Sequence, residues 1–184
     1  MGLTPSSMLA LGTLAPDWTL PDTQSGKDIT LSQRPQSKGL LVMFICNHCP
    51  FVKHVEQELL RLYRDYHPQG IDILAISSND VEEHPADRPD QMALKSYPFP
   101  YLYDESQDVA RAYQAACTPD FFLFDEQHRL VYRGQLDGSR PANGIPLTGV
   151  DLRTAMDALM AGNPINPDQK PSIGCNIKWK KDWH

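Results

Sequence analysis

Two cysteines three positions apart, Cys46 and Cys49, lie in the stretch ICNHCPFVKH, with His48 just before the second and Pro50 just after it. Thiols at that spacing support three kinds of chemistry. They can form and exchange a disulfide, supply half of a zinc site, or sit close together with no joint role. In disulfide exchange the nucleophile is a thiolate, and a free thiol's pKa near about 8.5 falls at a helix N-terminus or beside positive charge. His48 is placed to add positive charge or a hydrogen bond to the Cys46 sulfur, unless it is simply a solvated residue at a helix start. Stabilising the thiolate stabilises the reduced form and makes the pair more oxidising. On this pattern Cys46 is expected to be the accessible, low-pKa thiol and Cys49 the shielded one.

The elements around the pair decide whether it has such an address. GLLVMFI (39–45) is an apolar run that predicts a strand buried on both faces. From Pro50, the residues Val52, Val55, Leu59, Leu62 and Tyr66 recur at three and four, predicting an amphipathic helix closed by Pro68 and Gly70. Pro50 in the first turn loses no needed hydrogen bond. IDILAIS (71–77) predicts a second buried strand, parallel to the first across a right-handed crossover. PYLYD (100–104) reads as a short strand, and segments 91–96, 106–116 and 150–162 as helices. DFFLFDEQHRLVYRGQL (120–136) reads as an antiparallel hairpin, and WTLPDTQSGKDITL (18–31) as two short strands about Gly26. The expected architecture is α/β, a mixed central sheet flanked by helices in three layers, with an N-terminal β-hairpin extension. One domain over 1–162 is expected, followed by a polar tail over 163–184 with no apolar periodicity to hold it.

Composition limits the function classes. The chain has 184 residues, 41% apolar and 22% charged, with a formal net charge of −6. Lysines and arginines are scattered rather than striped, so nucleic acid is not an expected partner. No run is long enough to span a bilayer and no secretory signal is evident, so a cytoplasmic location is expected. In that compartment a close cysteine pair is more often catalytic, redox-sensing or metal-binding than a structural staple. No G-x-S-x-G elbow and no glycine-rich phosphate loop is present. The acidic stretch 80–90 reads as a solvated loop.

Strand, Cys-x-x-Cys, helix, strand, then Thr118-Pro119 leading into a hairpin resembles the thioredoxin-like superfamily. The opening LGTLAPDWTLPDTQSGKDITL further resembles its redoxin branch, which includes the alkyl hydroperoxide reductase/thiol-specific antioxidant proteins. The resemblance implies a thiol–disulfide oxidoreductase in which Cys46 attacks a disulfide and Cys49 resolves the mixed disulfide. Thr118 and Pro119, joined by a cis peptide, would dock an extended substrate. Its partners would be protein or small-molecule disulfides and an upstream thiol reductant. Two departures stand out. Matched to a peroxiredoxin, Cys49 takes the peroxidatic position, but Cys46 replaces the expected threonine and Thr118-Pro119 lies where an arginine is expected. Matched to a thioredoxin, residues 40–45 lack the buried carboxylate that accepts a proton.

Three alternatives stand beside the exchange reading: a thiol peroxidase using Cys49, a metal-binding module and a partner-binding module. Zinc needs four placed ligands, usually a second pair, and none appears at suitable spacing. No metal and no cofactor is expected. Two further thiols remain. Cys117 reads as a small buried residue beside the Thr-Pro turn, close enough to the pair to be a possible redox group. Cys175, in SIGCNIKWK, has a spacing to Trp179 that resembles the resolving-cysteine tail of two-cysteine peroxiredoxins, and is the other possible redox group.

Overall fold

A computed structural model describes residues 3–181. Its central sheet has the order β6-β5-β4-β8-β9. The middle strand, β4 (Gly39–Phe44), is buried at every residue, as an unbroken apolar run requires. It pairs in parallel with β5 (Ile71–Ser77), and β5 in parallel with β6 (Tyr101–Tyr103). On its other side it pairs antiparallel with β8 (Asp120–Asp125), which turns back into β9 (Leu130–Gly134). This is the mixed sheet expected from the sequence. The N-terminal extension is present as the antiparallel pair β2 (Thr19–Pro21) and β3 (Asp28–Thr30).

Helix α1 (Pro50–Tyr66) buries Val52, Val55, Leu59, Leu62 and Tyr66 against one face of the sheet, and α4 (Val150–Ala161) packs on the same side. Glu58, also buried, ties the two helices by accepting from Arg153 Nε at 2.7 Å. The opposite face is covered by α3 (Asp108–Ala112) and the N-terminal segment, including Trp18 and Leu20. A short α2 (Pro89–Ala93) starts two residues before the segment expected to be helical. Among the described residues, no helix is long and apolar enough to cross a membrane.

The sequence reading fails most clearly at the C-terminus. The segment expected to trail as a polar tail contains β10 (Ile173–Asn176), the middle strand of a second sheet. It pairs antiparallel with β1 (Leu3–Pro5) on one side and β7 (Cys117–Thr118) on the other. Ile173, Cys175, Ile177 and Trp179 alternate with Gly174, Asn176 and Lys178, which is strand periodicity over a short span. Gly174 makes the pairing possible, since a Cβ there would lie 2.0 Å from Thr118 O. The rest of this segment is tied down by side chains: Asn79 Oδ1 accepts from Lys178 N at 2.9 Å, and Gln107 Nε2 donates to Lys178 O at 3.0 Å. The Arg111 guanidinium lies 4.2 Å above the Trp179 ring.

Candidate redox site

Cys46 follows the end of β4 by two residues, and Cys49 is the residue that caps the N-terminus of α1. Both sulfurs are buried, at 1% and 0% residue exposure, so the expectation of an accessible Cys46 is not met. The Thr118-Pro119 peptide is cis and faces them. Thr118 Oγ1 lies 3.6 Å from Cys46 Sγ, and Cys49 Sγ lies 3.4 Å from Thr118 O. The sequence elements that were singled out, the cysteine pair and Thr118-Pro119, are therefore brought together.

The shared interaction of the pair favours ionisation of Cys49 over Cys46, the reverse of the order expected. The Cys46 thiol donates to Cys49, and this is the largest influence on both groups. Burial opposes ionisation of Cys49, but further hydrogen bonds from Cys175 and Thr118 outweigh it and bring its pKa down to about 4. Cys46 is pushed far above the ordinary thiol range by its bond to Cys49, by burial and by the negative charge of Asp87. One thiolate shared among several donors is the expected state of such a group, because two adjacent buried thiolates would repel.

Asp87 is the residue that sequence reasoning missed. It lies in the acidic stretch taken for a solvated loop, yet it is fully buried, and Asp80 in the same stretch is buried as well. Its Oδ1 accepts from the backbone N–H of Asn47 at 2.7 Å and of His48 at 3.2 Å. Its Oδ2 accepts from Asn79 Nδ2 at 2.9 Å and meets His48 Nδ1. Burial pulls this carboxyl upward, but the bonds from His48, Asn79 and Asn47 prevail and hold it below the ordinary carboxylate range. Asn47 also donates to Ala86 O at 2.9 Å and accepts from Tyr101 Oη at 2.9 Å. The loop between the cysteines is thus held by the acidic loop and by β6. Its only sequence signal was an aspartate between two prolines, which says nothing about direction.

His48 turns towards Asp87 and stacks on His84, with ring centroids 5.1 Å apart. The Cys46 sulfur, a His48 ring nitrogen and an Asp87 oxygen still lie within 4.8 Å of one another. Sulfur, imidazole and carboxylate are the donor types zinc takes. Here, however, both carboxylate oxygens are engaged by N–H groups, which suits a hydrogen-bonded cluster better than a cation.

The two remaining cysteines separate. Cys175 stands opposite Thr118 in the β10–β7 pairing, close enough to Cys49 to favour its ionisation. Burial, then the influence of Cys49, pushes its pKa up to about 12. The alternation of β7 turns Cys117 to the other face, where its thiol donates to Pro119 O at 3.6 Å and Ser172 O at 4.0 Å. A buried carboxylate, Asp120, lies on that side too, raised to about 7 by burial despite a 2.8 Å bond from Ser6 Oγ.

A mixed sheet flanked by helices, with a strand-to-helix cysteine pair facing a cis Thr-Pro peptide, defines a thioredoxin-like protein. The chain belongs to the AhpC/TSA family, whose model matches residues 11–133. It is 27% identical, over 68% of each chain, to the thiol-disulfide oxidoreductase ResA of Halalkalibacterium halodurans. The structure of an uncharacterized conserved protein from Geobacillus kaustophilus is 53% identical, covers 99% of this chain and 98% of that one, and superposes with a TM-score of 0.96. A putative thiol:disulfide interchange protein DsbE from Chlorobium tepidum shares the fold, with a TM-score of 0.66 at 21% identity over 83% of this chain and 99% of its own. These likenesses support an oxidoreductase, at the level of the family.

Proposed function

We propose that this protein exchanges disulfides with its substrates through Cys46 and Cys49. The observation that carries the reading is the placement of Cys46 and Cys49 at the junction of β4 and α1, both facing the cis Thr118-Pro119 peptide. In the forward direction the Cys49 thiolate attacks a substrate disulfide, forming a mixed disulfide and releasing one substrate thiolate. The Cys46 thiol then gives its proton to His48, oriented by Asp87, and its sulfur attacks Cys49. The Cys46–Cys49 disulfide forms and the second substrate thiolate leaves. An upstream thiol reductant runs the steps in reverse. Cys49 thus takes the attacking role that the resemblance assigned to Cys46. Thr118 and Pro119 would hold a substrate's chain only once β10, which pairs along Thr118, is displaced. Because β10 lies along Thr118 and both sulfurs are buried, small-molecule disulfides are favoured over protein ones while β10 stays in place.

A peroxidase reading has one observation in its favour, the thiolate at Cys49. Against it, Cys46 stands in place of the threonine. Arg140, which shares a surface pocket with Pro119, directs its N–H groups to Asp137 O, Ser139 O and Gln135 Oε1, and none to a sulfur.

The test is turnover of glutathione disulfide, insulin disulfides and hydrogen peroxide by the reduced protein and by Cys46→Ser and Cys49→Ser. Disulfide exchange is expected in the wild type, a stalled mixed disulfide at Cys49 when Cys46→Ser is combined with Cys175→Ser, and no reaction in Cys49→Ser. Peroxide turnover without disulfide turnover would establish the peroxidase instead.

A further inference from the structure

Strand pairing dictates which side chains can meet across β7 and β10. Residues directly opposite in an antiparallel pair share a face, with Cα atoms about 4.5–5.5 Å apart. Cys175 is opposite Thr118, and the Thr118 side chain points at the cysteine pair, 3.6 Å from Cys46 Sγ. The Cys175 side chain must therefore face the pair as well. It is buried in the same apolar cluster as Cys46 and Cys49, and the two thiols Cys49 and Cys175 influence each other's ionisation. Cys49 is thus flanked by two thiols, one from the adjoining loop and one from a strand 126 residues further along the chain. Their separation in sequence is immaterial, because the register of β10 fixes the distance. Gly174 allows that register, since any larger residue would strike Thr118 O.

We propose that Cys175 is a third redox thiol, which exchanges with Cys46 for the Cys49 sulfur. The proposal rests on the disulfide-exchange reading, which supplies the oxidised pair. In the step, the Cys175 sulfur attacks Cys49 within the Cys46–Cys49 disulfide. The Cys49–Cys175 bond forms, the Cys46–Cys49 bond breaks, and Cys46 leaves as the thiolate. The proton lost by Cys175 ends on Cys46. No electrons enter or leave, so the step isomerises one oxidised state into another. The second state bonds β10 covalently to the start of α1 and leaves Cys46 as a free thiol. The oxidised protein is therefore a mixture, in which the C-terminal strand is either clamped or only hydrogen-bonded.

The experiment oxidises the full chain with glutathione disulfide, quenches it in acid, blocks free thiols with N-ethylmaleimide, and maps disulfide-linked peptides. The wild type is expected to give both the Cys46–Cys49 and the Cys49–Cys175 bonds, in proportions that do not change with protein concentration. Cys46→Ser is expected to give Cys49–Cys175 alone, within one chain, with labelling of Cys175 reduced at least tenfold relative to its reduced form. Cys46→Ala serves as the second variant should the serine disturb folding. Finding Cys175 fully labelled in both variants, with glutathione held on Cys49, would overturn the proposal. Cys175→Ser separates it from the reading beneath it. A Cys46–Cys49 bond in that variant keeps the exchange reading whatever Cys175 does. Its absence there removes that reading and, with it, the exchange step.

Discussion

Cys49 and Cys117 are equally buried, both border Thr118, and differ in one respect that decides their chemistry. Donors surround the Cys49 sulfur: the Cys46 and Cys175 thiols and the Thr118 hydroxyl. Cys117 faces the Pro119 and Ser172 carbonyls and the Asp120 carboxyl, and the Ser6 and Ser172 hydroxyls near it do not offset its burial. Burial raises both thiols, since a charge leaving water is disfavoured. At Cys117 burial wins, and the Asp120 charge adds to it. At Cys49 the donors win. Burial alone therefore makes a cysteine inert, and only the arrangement of donors makes a buried one a nucleophile.

The largest effect expected in breaking this contrast is at Asp87. Asp87→Ala leaves the Asn47 and His48 N–H groups buried without acceptors, and should cost about 3–5 kcal/mol of stability, the range for disrupting a buried charged partner. Denaturant unfolding would measure it. The isosteric Asp87→Asn should be milder, and is the informative variant. Without the negative charge beside it, Cys46 should ionise more easily, so its pKa should fall.

Gly174→Ala tests the contribution of β10. The added Cβ meets Thr118 O and must displace one strand from the other, at about 1–3 kcal/mol for an overpacked site. Cys175 should then react with alkylating reagents in the native protein, and Cys49 should lose one of its donors. Unchanged protection of Cys175 would mean that β10 is held by something other than this pairing.

A smaller effect is expected in the pH dependence of the redox potential. If Cys49 stays ionised above about pH 4 while Cys46 stays protonated, reducing the disulfide takes up one proton for two electrons. The potential should then fall by about 30 mV per pH unit across neutral pH, and not by about twice that. The same group gives the reduced protein a stability term with a fixed sign. The folded pKa lies below that of an unfolded thiol, so the term is complete above about pH 8.5 and is lost as pH falls towards about 4.

Cys117→Ser should have the smallest effect of all. It leaves every donor to Cys49 in place, so neither the potential nor the Cys49 pKa should move.

The sequence made some of this legible and hid the rest for identifiable reasons. The pair, its strand and its helix could be read because local periodicity and Pro50 mark them within about twenty residues. Thr118-Pro119 was legible only through resemblance. Asp87 was hidden because a carboxylate in an acidic, proline-bearing loop looks the same whether the loop faces water or folds inward. Its burial depends on Asn47, His48 and Asn79, which come from two other segments. β10 was hidden by its brevity. Four alternating apolar positions were present, but a glycine, an asparagine and a lysine between them gave a polar average. The identity of the ionised sulfur was hidden too, since a helix N-terminus favours both cysteines and one of the groups that lower Cys49, Cys175, comes from the far end of the chain.

The most direct test of the account is a pH titration of thiolate ultraviolet absorbance in the reduced protein, repeated in Cys49→Ser and Cys46→Ser. The account predicts one thiolate that ionises near about pH 4 in the wild type. It should be absent in Cys49→Ser, and present but shifted in Cys46→Ser as the serine donates in place of the thiol. A low-pKa thiolate that survives in Cys49→Ser and disappears in Cys46→Ser would contradict it.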